Sequence, residues 1–158
     1  MAAVLTINVD SADVEDFFTG LASRATDPQD FLGYVGKDMV AKFRDNIDKE
    51  SGGPDFPGWA DLGKSRVKQR ERHGLGGPHP MLKGETGDLY QHLISTITGP
   101  ESVSAGTDGN LVYPAVHDIG EGNMPQRSFI WLDDARVDGW LEVLAQFLLE
   151  ATPPPEAA

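Results

Sequence analysis

The chain has 158 residues, 39% hydrophobic and 24% charged, with no cysteine. That length and apolar share fit one domain, expected over residues 1–150 with 151–158 as a flexible Pro-rich tail. A formal charge of −12 argues against a general nucleic-acid binder, and the missing cysteines exclude disulfides, thiol catalysis and thiolate zinc sites.

In chain order, residues 4 to 9, "VLTINV", are β-branched and read as a first strand. A helix is expected from Asp10 or Ser11, with Asp13, Glu15 and Asp16 suited to its positive N-terminal end. Val14, Phe17, Phe18 and Leu21 recur at helical spacing and form its expected buried stripe. Asp27 reads as the N-cap of the next helix and Pro28 as its first position. Leu32, Val35, Met39, Phe43 and Ile47 then define one face of the longest helix. Gly33 and Gly36 within it each cost about 1 kcal/mol relative to alanine, which points to close backbone packing there.

"SGGPDFPGW" ends that helix and is loop. In "KSRVKQRERH", Lys64, Arg66, Lys68, Arg70 and Arg72 stand against Glu71, a net +4 that leaves −16 for the rest of the chain. Val67 is its single apolar residue, so even as a helix it has no face to bury. Residues 48–80 are therefore expected to be an extended arm that a partner must order, or else a solubilising loop.

After the arm, "LYQHLISTIT" reads as a short turn and a strand over about 92 to 98, with "SVSAGT" as its partner strand. "PAVHDIG" is a helical turn stopped by Gly120, and "SFIWL" is expected to be a further strand. Asp133 or Asp134 caps a final helix whose stripe is Val137, Trp140, Leu141, Leu144, Phe147 and Leu148. The expected fold class is α+β: a small antiparallel sheet of three or four strands packed by the long and C-terminal helices.

No catalytic constellation emerges. His73 and His79 lie in a Gly/Pro loop without carboxylates at ligand spacing, and His117–Asp118 lacks the further ligands a metal hydrolase needs. "GLGGP" lacks the lysine and hydroxyl of a phosphate-binding loop, and no nucleophile elbow occurs. No enzyme activity, metal or cofactor is expected. In "EGNMPQRSFI", Pro125 fixes the backbone ahead of the expected strand. Arg127 is then a structural or inter-subunit cation, bonded to a backbone carbonyl or to a carboxylate such as Asp118 or Glu121.

Four stretches occur in a telling order: "PGWADL" (Trp59, Leu62), "PMLKGETGDLYQHL" (Met81, Leu82, Thr86, Gly87, Leu89), "VYPAVHDIG" (Tyr113, Ala115, His117, Gly120) and "MPQRSFIWL" (Pro125, Arg127, Phe129). Together they resemble the tailed-phage virion morphogenesis family, over about residues 30 to 150. The chain departs from the family pattern at Pro114, which separates tyrosine from alanine, and at Ser128, where a proline usually follows the arginine. The first 27 residues have no counterpart in the resemblance.

The resemblance implies a structural protein of the virion neck or tail, made in the host cytoplasm. It would assemble as a ring of six copies at the head-tail junction and join tail to head. Its partners would be its own copies and the adjacent neck, connector and tail proteins. DNA would pass through the ring lumen, and no membrane is involved. Expected assembly residues are Trp59, Lys64, Arg66, Lys68, Arg70, Arg72, Thr86, Gly87, His117 and Arg127. The alternatives are a tail terminator capping the tail tube, or a DNA-binding accessory protein using the 64–72 arm.

Overall fold

A computed structural model describes residues 12–54, 58–74, 81–82, 87–121, 124–150 and 153–155. The helices are α1 (Ala12–Thr26), α2 (Gln29–Asp48), α3 (Lys64–Arg72), α4 (Asp88–Gln91), α5 (Tyr113–Ile119) and α6 (Asp134–Glu150). Between α4 and α5 lie strands β1 (Leu93–Gly99) and β2 (Ser102–Thr107). They pair antiparallel from Leu93↔Thr107 to Ile97↔Val103, with an irregularity before Gly99↔Ser102.

The long helix is the spine of the fold. Its 3/4 apolar spacing places Leu32, Val35, Phe43 and Ile47 inward, and Val40 joins them. α2 packs across both strands, and Gly36 permits the approach: a Cβ there would lie 2.9 Å from Ser95 and from Val103. Gly33 has nothing within 4 Å of such an atom, so the close-packing expectation holds at Gly36 and fails at Gly33. Phe43, Ile47, Trp59, Met81, Leu82, Leu89, Leu93 and Phe129 form the core against α2.

α6 crosses α2 with polar contacts at one end and aromatic contacts at the other. Asp133 caps it, accepting the Arg136 amide at 2.9 Å, as expected of that aspartate. Asp38 of α2 accepts from Arg136 Nη1 at 2.8 Å and from Trp140 Nε1 at 2.7 Å. Lys42 pairs with Asp133 at 2.9 Å and lies 4.2 Å from the Trp131 ring centroid. Farther along, Phe31 and Phe147 stack with centroids 6.5 Å apart. Arg24 of α1 donates to the Leu148 carbonyl from Nε at 3.0 Å and from Nη2 at 2.5 Å.

Several expectations are corrected. The α+β class stands, but the sheet among the described residues has two strands, not three or four. Residues 4 to 9 lie outside the described residues, as do Ser11, Thr86 and His79. "SFIWL" is not a strand, because side chains occupy its backbone groups in place of a ladder. α2 begins at Gln29 behind Pro28, and no side chain caps it, so Asp27 does not serve as its N-cap. The expected stripes of the terminal helices are only partly used. Val14, Phe17 and Phe18 on α1, and Val137 and Leu141 on α6, are exposed, Phe18 by 60% and Leu141 by 59%. On α6 only Phe147 is buried among the described residues, stacked on Phe31, and Arg136 on the same helix reaches Asp38.

The 48–80 segment is also less open than expected. Residues 64–72 form a helix, and Arg70 within it is only 5% exposed, its Nη1 3.4 Å from the Met81 carbonyl. Trp59, Met81 and Leu82 supply the apolar anchor that the composition of the arm proper lacks. Glu50 is the sole non-glycine at positive φ among the described residues, at +52°. That conformation costs on the order of 1–2 kcal/mol. It brings the Glu50 carboxylate to the Met81 amide at 2.7 Å, tying the two ends of the segment together.

Candidate functional site

Of the last family motif, Arg127 and Phe129 are buried, and Phe129 belongs to the core cluster. From Arg127 to Trp131 the chain has no strand partner among the described residues, yet several of its polar backbone atoms are bonded, most of them by side chains. Arg127 N donates to the His117 carbonyl at 2.7 Å. Trp59 Nε1 donates to the Ser128 carbonyl at 3.0 Å. Asn46 Nδ2 donates to the Phe129 carbonyl at 2.9 Å and to the Trp131 carbonyl at 3.0 Å. Asp118 Oδ1 accepts from the amides of Phe129 at 2.9 Å and Ile130 at 3.2 Å, and from Ser128 Oγ at 3.1 Å.

Asp118 comes from α5, a helix begun by buried Pro114 and closed by Gly120 at φ +72°. The two departures from the family pattern therefore have physical uses. Pro114 starts the helix that carries Asp118, and Ser128 offers Asp118 a hydroxyl that a proline could not.

Arg127 is 3% exposed, and its Nη2 donates to the Ala60 carbonyl at 2.9 Å. A backbone carbonyl is thus its partner, while Asp118 is engaged with the amides that follow. Burial pushes the guanidinium below its ordinary value, and the nearby Glu50 carboxylate opposes that shift. Arg127 Nε is buried with no hydrogen-bond partner among the described residues, and so is His117 Nδ1. Burial, and then the charges of Arg127 and Arg66, hold His117 below the usual histidine range, which favours the neutral imidazole. Tyr113, one helical turn earlier, meets the His117 ring edge-on at 6.2 Å.

Arg127, His117 and Arg66 line a cavity of about 430 Å³ whose apolar wall includes Leu62, Met81, Leu82, Met124 and Pro125, with Asp61 at its side. Among the described residues no group of His, Asp and Glu is arranged to hold a metal ion. The cavity offers cations and apolar surface, a combination for binding an anionic or acidic group and not for moving protons between a paired acid and base.

The structure separates the five arm cations. Lys64, Lys68 and Arg72 recur every fourth residue and stand exposed. Arg66 faces the cavity, and Arg70 is buried under the segment. Trp59 is in the core and meets the motif of Arg127 through Ser128. Gly87 adopts φ +66° as the lead into α4, where its carbonyl accepts the Tyr90 amide at 2.9 Å. It is distant in role from the cavity, and Thr86 lies outside the described residues.

Sequence reading missed Asn46, which sits on the helical face among apolar residues and gave no signal beyond being polar in a buried row. It also missed the pair closing the hairpin, His92 Nδ1 to Asp108 Oδ2 at 2.7 Å. That contact, with bonds from Asn110, holds the Asp108 carboxyl below the usual carboxylate range.

The motif residues thus build an internal junction that ties α2, the loop after it and α5 to the stretch from Arg127 to Trp131. The model of the phage virion morphogenesis family matches residues 9–148, and the chain belongs to that family. The match takes in residues 9–27, which the motif resemblance did not reach. Membership places the chain in virion assembly and associates it with the virion. No curated protein and no solved structure matches it. Among the described residues no helix is long and apolar enough to cross a membrane.

Proposed function

We propose that this chain is a structural protein of the phage head-tail junction, a neck or tail-completion protein whose copies form a ring joining tail to head. The observation that carries the reading is the mismatch between the terminal helices and a lone subunit. Val14, Phe17 and Phe18 of α1 and Val137 and Leu141 of α6 remain exposed, and apolar exposure of that kind is covered by assembly. The chain also holds opposite charges apart, with −12 overall and cations gathered on α3. Such a subunit suits head-to-tail contacts between identical copies, the geometry that closes rings. Six copies is the stoichiometry we infer, with partners in the neighbouring neck, connector and tail proteins. A terminator capping the tail tube uses the same surfaces.

The test is removal of the gene followed by electron microscopy of the lysate, with mass spectrometry of purified particles. Unjoined heads and tails, and the protein's presence in complete particles, are expected. Infectious particles lacking it would end the idea. A second reading draws on the exposed row Lys64, Lys68 and Arg72, which matches contact with phosphates, whether of DNA in the lumen or of DNA bound by an accessory protein. It expects affinity that falls steeply with salt and is lost when all three become glutamine.

A further inference from the structure

The hairpin presents one edge beneath an overhanging helix. β1 runs back along α2: Arg44 Nη2 donates to the Tyr90 carbonyl just ahead of the strand at 2.9 Å, and a Cβ at Gly36 would lie 2.9 Å from Ser95 within it. Ser95 therefore faces α2, as do Leu93 and Ile97 at the same parity, while Ile94, Thr96 and Thr98 face away. Beside the strand lies a groove of about 400 Å³, lined by Val40, Ala41, Leu93 and Ile94 with the cations Lys37 and Arg44. No residue of β2 lines it, so it follows the outer side of β1. Among the described residues no strand pairs with that side, and Ile94 and Ile97 are 42% and 37% exposed. The strand sequence, "LISTITG", holds no charge and no proline, the residues that discourage a further strand from adding to an edge. β2 is equally uncharged, but the groove lies along β1.

The chain carries one segment suited to that edge. Of the stretches outside the described residues, only 1–11 and 75–80 exceed four residues, and the second, "LGGPHP", is broken by glycine and proline. Residues 4–9, "VLTINV", place Leu5, Ile7 and Val9 at one parity and Thr6 and Asn8 at the other. Set beside β1, the apolar trio falls under α2 and the polar pair joins Thr96 and Thr98 on the open face. That is the pattern of an antiparallel sheet covered on one side. Residues 1–9 hold no charged side chain, and Asp10 follows them, an acid that complements Lys37 and Arg44. A third strand also moves the hairpin toward the size at which sheets are stable.

We propose that the outer edge of β1 is a strand-accepting surface, and that its occupant is residues 4–9 of the same chain, with Leu5, Ile7 and Val9 turned into the groove under α2. Only Asp10 and Ser11 separate Val9 from α1, so the segment stays tethered to its own subunit. Such a tether sets an effective concentration on the order of millimolar, which favours the chain's own segment over that of a neighbour. The filled edge no longer offers an uncharged template on which copies could pair edge to edge.

The absence of cysteine makes the test direct. Residues opposite one another on adjacent strands share a face, with Cα atoms about 4.5–5.5 Å apart, inside the disulfide range of about 4.4–6.8 Å. Thr6→Cys is combined in turn with Ile94→Cys, Thr96→Cys and Thr98→Cys, each at an exposed position of β1, so no change empties the core. Under mild oxidation one of the three is expected to close an internal disulfide, read by intact mass and non-reducing gels. Ile7→Cys, at the opposite parity, is expected to close none with the same partners. Deletion of residues 2–9 is expected to speed hydrogen exchange about tenfold or more at the β1 amides that β2 leaves unbonded.

Covalent dimers in place of an internal disulfide overturn the proposal, since the segment would then belong to a neighbour's edge. Equal closure by Thr6→Cys and Ile7→Cys overturns it as well, because a seated strand shows β1 one face only. So does the lack of any internal disulfide, or β1 exchange that the deletion leaves unchanged.

Discussion

Replacing Asn46 by alanine tests whether side chains stand in for a missing strand. Asn46 is 1% exposed and its Nδ2 donates to the carbonyls of Phe129 and Trp131 at 2.9 and 3.0 Å. Two such bonds contribute about 0.5–1.5 kcal/mol each. The Phe129 carbonyl would then be stranded in the core, which adds about 1–3 kcal/mol, while the half-buried Trp131 carbonyl can reach water. Part of this is offset, because Asn46 Oδ1 is itself buried without a partner among the described residues and its burden disappears with the side chain.

The expected loss is about 2–4 kcal/mol, or a Tm lower by about 5–15 °C for a chain of this size. Thermal unfolding followed by circular dichroism measures it. Asn46→Asp, which turns a carboxylate toward the same two carbonyls, should lose at least as much as alanine. A loss under about 1 kcal/mol for alanine, or an aspartate variant as stable as the parent, would refute the reasoning.

Gly36→Ala drives a methyl to 2.9 Å from Ser95 and Val103 and should destabilise by about 1–3 kcal/mol, whereas Gly33→Ala, with open space, should stabilise by about 0.5–1 kcal/mol; urea midpoints distinguish them. Asp118→Ala should cost about 2–4 kcal/mol and Ser128→Ala about 1 kcal/mol, with the double variant less than additive because the two share a hydrogen bond. The depressed His117 pKa makes stability pH-dependent. Its contribution is full above the unfolded-chain value of about 6.5 and is lost as the pH falls from there through the lower folded-state value. Stability should therefore drop as the pH falls below about 7.5, and the drop should be shallower in His117→Asn, read from urea titrations at each pH.

The helices and the hairpin were legible because their signals are local. α2 shows in the spacing of Leu32, Val35, Phe43 and Ile47, and the hairpin shows in β-branched runs broken by turn residues. "SFIWL" misled because its continuous apolar run is equally that of an extended segment buried by tertiary contacts, and the pattern cannot say which groups accept its hydrogen bonds. The arm misled for a related reason. Its own composition has no core, but Trp59 and Met81 at its ends do, and Arg70 is buried through a contact with the Met81 carbonyl. The terminal helices carry wider apolar surfaces than the described residues cover, so their stripes forecast helices correctly and burial incorrectly. At the site, Arg127 stood out as a residue type, whereas Asn46 did not, since a polar residue in an apolar row looks like an ordinary interruption.

The stretch from Arg127 to Trp131 takes its hydrogen bonds from Asn46, Trp59, Ala60 and Asp118, from 10 to 85 positions away along the chain. It has no neighbour on which to nucleate and cannot zip up by itself. Its order has to arrive late, once the spine, the loop after it and the α5 turn have already found one another. It then acts as a clasp for all three, so amide exchange at Phe129 should report the opening of the whole subunit rather than a local breath.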